Sequence, residues 1–247
     1  MTATIVNRTL AHCLLFLAAV ALVLRTGEAR KNRNAPHGHR GTLTPYQPGP
    51  FDVLSLDNKD EKDLSNDKSV MKQIPGDDGG SSGGRAICVQ DVKAPKSAVW
   101  NQILDLDHYV GKVSKLKECK NYLVRKNEDG SSTIKTKMVI GVLPGYKYEY
   151  YCDHTYRPDV DSVVWTLDYD KTSDFNDVAG HWHVEDHPSK KGHTRVFYAC
   201  DIKFKTPVPG PVMNILTKSA LRQATGWVKR ESEAKPEAVT PSEFSPA

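Results

Sequence analysis

The sequence predicts an α+β domain in which one large antiparallel sheet packs against a long C-terminal helix. Most of the central chain alternates between apolar and polar residues with a period of two, which is the pattern of half-buried strands. The segment from Pro211 to Glu233 instead repeats its apolar residues with helical spacing. The connections between the predicted strands are too short for crossover helices. We therefore expect about seven antiparallel strands followed by one long helix.

The first 29 residues have the pattern of a secretory signal peptide. Leu10 to Leu24 is a 15-residue apolar run behind Arg8. A membrane-spanning helix needs more, about 20 residues. Small residues at Gly27 and Ala29 fit cleavage after Ala29. An uncleaved signal anchor is the alternative. The segment predicts the secretory pathway or an extracellular location, and delivery to an organelle through a signal peptide stays open.

Residues 30–84 are predicted to be a disordered linker. The stretch begins with basic residues and ends in the Gly- and Ser-rich tether 76–84. It contains too few apolar residues to form a core of its own. Binding of its basic part to anionic lipid is the alternative to disorder. The polar, Pro-rich tail 235–247 is also predicted to be disordered, which leaves a folded domain at 85–234 of ordinary single-domain size.

The elements of this domain follow in order. A first strand, Ala86–Val92, ends before Pro95 and is followed by a helix from Lys96. That helix carries Val99, Trp100, Ile103 and Leu104 at helical spacing. The segment 127–130 is predicted to be a hairpin turn, because its Asp-Gly pair supplies the positive φ angles that such turns require. Six strands follow the first helical region, and the last of them ends at Phe204 before the long helix.

The strand positions assigned to the core are rich in aromatic residues, whereas the facing side of the long helix carries small and polar ones. The aromatic set is Tyr148, Tyr150, Trp165 and Tyr198, and the helix set is Ser219, Ala220, Gln223 and Gly226, with Leu216 and Trp227 as apolar anchors. Small side chains opposite large rings leave room for a ligand. A solid core is the alternative. Because Gly226 costs a helix about 1 kcal/mol relative to alanine, we expect a close approach of backbone, ring or ligand there.

Three motifs of the folded region are similar to those of a known family. They are Ala94-Pro95 with Val99-Trp100, then Leu104-Asp105-Leu106-Asp107 with Tyr109, and Thr194-Arg195-Val196 with Tyr198 before the last helix. This arrangement resembles the START-like, helix-grip superfamily, in particular its polyketide cyclase/dehydrase group and coenzyme Q-binding branch. Such domains often have Phe–x–Pro after the Tyr, where this chain has Gly111-Lys112-Val113. The resemblance implies a curved sheet of seven strands that wraps around the C-terminal helix, with a hydrophobic tunnel between them.

The resemblance implies that this tunnel binds or transports a hydrophobic small molecule, a lipid or an isoprenoid quinone. The residues expected to line it are Tyr148, Tyr150, Trp165, Tyr198, Leu216, Ser219, Ala220, Gln223 and Trp227. An enzyme of the polyketide cyclase/dehydratase type and an exported interaction module with a solid core stay open as alternatives. Such an enzyme needs a buried acid–base pair, and His154 is the one candidate on the inward faces. We therefore predict a non-catalytic module without a cofactor.

Other classes of function find little support in the sequence. The net charge is +4, and the Lys and Arg residues form no dense block, which disfavours nucleic-acid binding. His181, His183 and Glu185 share one strand face, but that face is predicted to point to solvent, where a zinc site lacks supporting contacts. We predict no metal site. The acidic residues Asp168, Asp170, Asp174 and Asp177 lack the Gly and Glu of a calcium loop and are interpreted as turn residues.

Four cysteines follow the predicted signal peptide: Cys88, Cys119, Cys152 and Cys200. Buried free thiols and up to two disulfides are both compatible with the sequence. In the fold that the chain resembles, the first and last strands are neighbours, so that Cys88–Cys200 is the first pair to test. We expect a monomer that makes at most transient contact with a membrane.

Overall fold

The computed structural model describes residues 31–51, 54–74, 85–143, 146–206 and 210–237. The predicted signal peptide and most of the predicted tail lie outside these ranges. Within them, no helix is long and apolar enough to cross a membrane.

The described chain contains three α-helices and eight β-strands. In chain order they are α1 (Asn58–Ser65), β1 (Val70–Ile74), β2 (Arg85–Val92), α2 (Lys96–Leu104), β3 (Leu116–Lys126), β4 (Ser132–Leu143), β5 (Tyr146–Arg157), β6 (Ser162–Leu167), β7 (Asp177–Asp186), β8 (Thr194–Lys203) and α3 (Gly210–Ala234). Two short 3-10 helices, Leu106–His108 and Pro158–Val160, follow α2 and β5.

All eight strands form one antiparallel sheet with the order β1-β2-β8-β7-β6-β5-β4-β3. The sheet curves around α3, which packs against β2, β8 and α2. We call the face that carries α3 the concave face and the opposite one the convex face. The predicted α+β helix-grip class is confirmed. The strand count is eight rather than about seven, because β1 pairs with β2 at the edge of the sheet.

The turn between β3 and β4 lies where the sequence predicts it. The backbone N–H of Asn127 donates to the carbonyl of Ser131 (2.8 Å), and Gly130 has a φ of 82°. That φ lies in the left-handed region, which glycine adopts without the clash that a Cβ would cause. The turn places β3 and β4 in register from Lys126 and Ser132 onward.

The described residues that precede β2 include α1 and β1 and cross the convex face. We call described residues 33–51 and 54–74 the strap. Its Tyr46, Leu64 and Val70 are buried in an apolar cluster with convex-face residues such as Ile87 and Phe197. The structure therefore differs from the linker predicted for 30–84. Composition measures only the apolar residues that a segment itself contributes, whereas here the sheet supplies the other half of the core.

Carboxylates from the loop between β6 and β7 and from the start of β7 hold the first part of the strap. Arg33 donates two parallel hydrogen bonds to the carboxylate of Asp174, at 2.8 and 3.0 Å. The backbone N–H groups of Thr42 and Leu43 both donate to Oδ2 of Asp177, at 2.5 and 2.8 Å. These contacts explain Asp174 and Asp177 better than the turn-forming role expected from sequence, whereas Asp168 does accept from the backbone N–H of Asp170 (3.2 Å). The hydrogen bonds hold the pKa of Asp177 below its usual range, although burial opposes them.

Candidate ligand-binding site on the concave face

The strand residues predicted to line a tunnel lie on the concave face. Trp165 of β6 is opposite Gly180 of β7, which is in turn opposite Cys200 of β8. Tyr198 lies two residues before Cys200 and therefore shares its face. Trp165 is buried, whereas Tyr148, Tyr150 and Tyr198 are half-buried. The four predicted aromatic residues are thus brought onto one surface.

A first group of rings lies at the end of the sheet where α3 begins. Tyr148 stacks on Phe175 with ring centroids 5.0 Å apart, and Tyr150 meets the same ring edge-on at 5.0 Å. Phe204 completes the group at 5.4 Å from Phe175. Phe175 was missed in the sequence, because it lies in the loop between β6 and β7 and no strand period marks it. Offset and edge-on ring pairs of this kind form an apolar surface with defined geometry.

A second group of rings lies at the centre of the face. The indole of Trp165 is nearly parallel to the ring of Tyr198 with centroids 5.9 Å apart, and Trp182 lies 4.1 Å from the same ring. The indole of Trp165 also lies directly over Gly180. A Cβ at that position would be 2.0 Å from Cζ2 of the indole, so that glycine is required there. The sequence placed these rings on one face but gave no sign of the close approach at Gly180.

Three residues of the concave face, Tyr150, Tyr198 and Cys200, are desolvated by the surrounding protein but are not completely buried. Burial raises the pKa of the Tyr150 and Tyr198 hydroxyls well above their usual range and that of the Cys200 thiol to about 12. All three residues nevertheless keep solvent-accessible surface. These three side chains are therefore packed against protein on most sides and remain partly accessible.

The buried cysteine and histidine groups of this face are neutral at pH 7. Burial raises the pKa of the Cys119 thiol to about 12 and that of the Cys152 thiol well above its usual range. His154 is buried beside Trp165, with ring centroids 5.7 Å apart. Its Nδ1 lies 3.0 Å from the carbonyl of Ile134 and so carries the proton of the neutral ring. Burial lowers the pKa of His154 to about 4, against the effect of that hydrogen bond.

The helix residues predicted to line the tunnel are placed less uniformly. Trp227 is buried and meets Tyr109 edge-on at 4.8 Å. Ala220 and Gln223 are exposed, and the side chains of Leu216 and Ser219 lie outside the described residues. Among the side chains of α3 that the structure describes, the other buried ones are Leu221, Thr225, Val228 and Ser232. That Ala220 and Gln223 line the ligand site therefore stays a prediction.

No backbone or ring of the described residues closely approaches Gly226, so only a ligand is left of the approach expected there. A Cβ built at this residue would have no neighbouring atom within 4 Å. The inward face predicted for α3 was too broad. Leu221, Thr225 and Val228 already fill the stripe of the helix that packs against the sheet.

The four cysteines are free thiols. Cys88 lies opposite Tyr198 in the β2–β8 pairing, so that Cys200 is its diagonal neighbour. Diagonal neighbours in an antiparallel pair are about 7–8 Å apart, farther than a disulfide spans. Instead, Sγ of Cys88 lies 3.3 Å from Oγ1 of Thr225 on α3. The Cys88–Cys200 pair suggested by the resemblance is therefore not formed.

The two histidines of β7 are buried rather than exposed to solvent. His181 and His183 are 1% and 5% exposed, because the strap covers this part of the convex face. The ring of Phe51 lies 4.4 Å from that of His181, and Oγ of Ser162 lies 2.7 Å from its Nε2. Burial lowers the pKa of His181 to about 3. Among the described residues, no three His, Cys, Asp or Glu side chains are grouped as metal ligands.

The convex face carries a groove of a different character beside the strap. It has a volume of about 510 Å³. Its lining includes Tyr46, Arg125, Lys135, Asp153 and three threonines: Thr133, Thr155 and Thr166. Lys135 lies 3.2 Å from the carboxylate of Asp153. These charged groups make the groove a poor match for an apolar ligand.

Comparisons with known proteins give similarities to solved structures. No protein-family model matches the chain, and no curated protein is similar to it. A START superfamily protein from Mycobacterium smegmatis is 17% identical with a TM-score of 0.49, and the match covers 67% of this chain and 97% of that one. The Zhui aromatase/cyclase from Streptomyces sp. R1128 is 13% identical with a TM-score of 0.48, covering 69% and 99%. TTHA0849 from Thermus thermophilus is 14% identical with a TM-score of 0.49, covering 61% and 98%.

Proposed function

We propose that this domain binds an uncharged, hydrophobic small molecule between the concave face of the sheet and α3. The observation that carries the proposal is the state of Tyr150, Tyr198 and Cys200, which are desolvated by surrounding protein and yet keep accessible surface. Ligand sites are concave and mostly apolar, with a small number of polar groups that fix orientation. The two groups of rings supply the apolar part, and the tyrosine hydroxyls supply the polar groups.

Because the concave face has neutral side chains, it favours a ligand that carries no charge. Its tyrosine, cysteine and histidine groups are neutral at pH 7, because desolvation raises the pKa of Tyr150 and Cys152 and lowers that of His154. A buried ionised carboxylate or phosphate without a partner would cost several kcal/mol. A lipid without a charged group, or an isoprenoid quinone, fits this wall better than a fatty acid. The aromatic residues favour a ring over a saturated chain.

Binding without chemistry is favoured over a cyclase or dehydratase activity. General acid–base catalysis works best with a group whose pKa lies near the working pH. Burial moves the pKa of His154 down to about 4 and that of Cys200 up to about 12, so that neither exchanges a proton readily at pH 7. An interaction module with a solid core is the third reading, and the accessible surface of Tyr198 disfavours it.

Transport fits the predicted secretory signal at residues 1–29, and we propose a place of action in the secretory pathway or outside the cell. Edman sequencing of protein recovered from the culture medium tests this step. A mature chain that begins at Arg30 supports it. A cell-bound chain that retains residues 1–29 supports the signal anchor instead.

Two adjacent residues of β8 provide the decisive test of ligand binding. Tyr198 points to the concave face, whereas Phe197 is 7% exposed in the convex cluster. We expect Tyr198→Leu to weaken binding by about tenfold, or about 1.4 kcal/mol, and Phe197→Leu to leave it unchanged.

Native mass spectrometry of protein purified without detergent measures the ligand that co-purifies. Titration with a short-chain ubiquinone analogue and with oleate then tests the charge rule. A protein without ligand that binds neither probe, or equal loss in both variants, would show that the proposal is wrong. Preference for oleate would contradict the uncharged class alone.

A further inference from the structure

Three exposed lysines are neighbours of Gly141 at one end of the sheet. The side-chain stem of Lys117 lies over Gly141 of β4, with its Cε 3.0 Å from the position that a Cβ would take. Lys147 of β5 is the cross-strand partner of Gly141, and the carbonyl of Lys115 accepts the N–H of Gly141 at 2.9 Å. All three lysines are exposed. We call Lys115, Lys117 and Lys147 the lysine patch.

The backbone fixes the patch in place. Lys115 has a φ of 63°, a left-handed conformation that is uncommon for residues other than glycine. The pairing of β3 with β4 shifts by one residue between Leu116 and Glu118, so that Lys117 is the extra residue of a bulge. Bulges of this kind re-aim a side chain at the edge of a sheet. Gly141 leaves the room into which the stem of Lys117 fits.

The nearby carboxylates are already engaged by other lysines. The pairs are Lys112 with Asp105 at 3.1 Å, Lys120 with Asp107 at 3.6 Å and Lys137 with Glu118 at 2.9 Å. The described part of the chain gives the three patch lysines no ion pair. Their positive charges are therefore uncompensated within a small area, where they attract an anionic surface.

An exposed apolar residue precedes the patch. Val110 is 50% exposed, more than Tyr122 or Leu123, the other exposed large hydrophobic residues of the described chain. A bridge between Val110 and Val113 holds its loop just before β3. Tyr148, which follows Lys147, belongs to the first group of rings on the concave face. Because neighbours in a strand point to opposite faces, Lys147 and the stem of Lys117 lie on the convex side of the sheet, at the end that carries the first group of rings.

We propose that the lysine patch and Val110 dock this domain on an anionic membrane surface. Lysine next to exposed apolar residues is the combination that binds lipid headgroups and the acyl boundary together. Each lysine near such a surface strengthens binding by roughly fivefold, so that three contribute on the order of 100-fold. The purpose of docking rests on the proposed function, because a water-insoluble ligand is taken from, or delivered to, a membrane.

Vesicle flotation with the full chain lacking residues 1–29 tests the docking. The vesicles are phosphatidylcholine alone or with about 30 mol% phosphatidylserine. The test variant is Lys115→Gln/Lys117→Gln/Lys147→Gln. The matched control, Lys190→Gln/Lys191→Gln/Lys235→Gln, removes three exposed charges from the β7–β8 connection and the segment after α3. We expect phosphatidylserine-dependent binding that falls on the order of 100-fold in the test variant and stays unchanged in the control.

The outcomes separate docking from the ligand site. Equal loss in both variants, binding that ignores phosphatidylserine, or no binding of the parent chain would overturn the docking proposal. Binding to polyglutamate but not to vesicles would also overturn it, in favour of an acidic protein partner. Native mass spectrometry of the same samples reports on the ligand site independently. Vesicle binding by a chain that carries no ligand supports docking while the proposed function fails.

Discussion

The concave and convex faces are built from the same strands with opposite chemistry. On β8, Tyr198 points to a concave face of rings and thiols that are neutral at pH 7. Three residues earlier, Arg195 is 4% exposed on the convex side, where it donates to the carboxylates of Asp91 and Glu61. The strap covers that side with Tyr46 and its neighbours.

The difference shows which face tolerates empty space. A ring or a thiol loses contacts when space opens beside it, which is a modest cost. A buried guanidinium such as that of Arg195 needs its carboxylates at hydrogen-bond distance, because an unpaired buried charge costs several kcal/mol. The strap therefore covers the convex face around Arg195, whereas the proposed ligand site lies on the face of neutral rings and thiols.

The largest expected effect comes from the charged network of the convex face. Asp91 accepts from Nε of Arg195 at 2.8 Å, and its other oxygen lies 3.0 Å from Nε2 of His187. Asp91→Ala leaves a buried guanidinium with Glu61 alone, and we expect a loss of about 3 kcal/mol in the free energy of unfolding. Urea denaturation measures it. The control Asp159→Ala removes an exposed pair with Arg157, and equal losses in both variants would contradict the distinction.

Acid is expected to weaken both faces. His154 is concave with a pKa of about 4, and His181 is convex with a pKa of about 3. Unfolding restores the ordinary value near 6.5, so that the unfolded chain takes up more protons below that pH. The free energy of unfolding should therefore fall by about 2 kcal/mol per histidine between pH 7 and pH 5. Urea titrations of His154→Gln and His181→Gln should each show a smaller fall, and a pH-independent parent would refute neutral burial.

Two glycines should respond to alanine with opposite signs. Gly226→Ala places a methyl in open space on a helix, and we expect stabilisation by about 0.5–1 kcal/mol with ligand binding unchanged. Gly180→Ala drives a Cβ into Trp165 and should destabilise by about 1–3 kcal/mol. Thermal unfolding and ligand titration of both variants check this. Weaker ligand binding in Gly226→Ala would show that this residue does line the ligand site.

The smallest effect is expected at the exposed end of the strap. Arg40 and Asp170 form a 2.6 Å pair, but their side chains are 71% and 64% exposed. Arg40→Gln should change the free energy of unfolding by less than about 0.5 kcal/mol. Arg33→Gln breaks a pair whose side chains are 25% and 10% exposed and should cost more. Chemical denaturation measures the loss of unfolding free energy in the two variants. A larger loss in Arg40→Gln than in Arg33→Gln would show that side-chain exposure does not determine the strength of these ion pairs.

The concave face was predictable because strong periodicity marks it. Alternation along β5 and β8 put Tyr148, Tyr150 and Tyr198 on one side, and the structure agrees. The phase of α3 was less certain, since small residues such as Ala220 and Gly226 fit either side of a helix. Phe175 was not predictable, because its place depends on how a loop folds back across the sheet.

The strap escaped prediction because its contacts are almost all non-local. Tyr46 and Leu64 are isolated apolar residues whose partners lie on β2, β7 and β8. One local signal was available. Asp57 caps α1 by accepting from the backbone of Asp60, whose side chain accepts from the backbone of Asp57 in return. This reciprocal pair uses Asp at both positions, where the common capping box has Ser or Thr first and Glu or Gln last.

The place of β2 between β1 and β8 has a consequence for the order in which the chain folds. Asp91 and Arg195 are 104 residues apart in sequence and yet are direct partners. During synthesis, β3 to β7 can pair as successive hairpins and β2 can pair with β1, but β2 and the strap cannot complete their contacts until β8 has emerged. Closing so long a loop makes folding slow. Until then β2 has an open edge, and chaperones that shield such strands should recognise the nascent chain there.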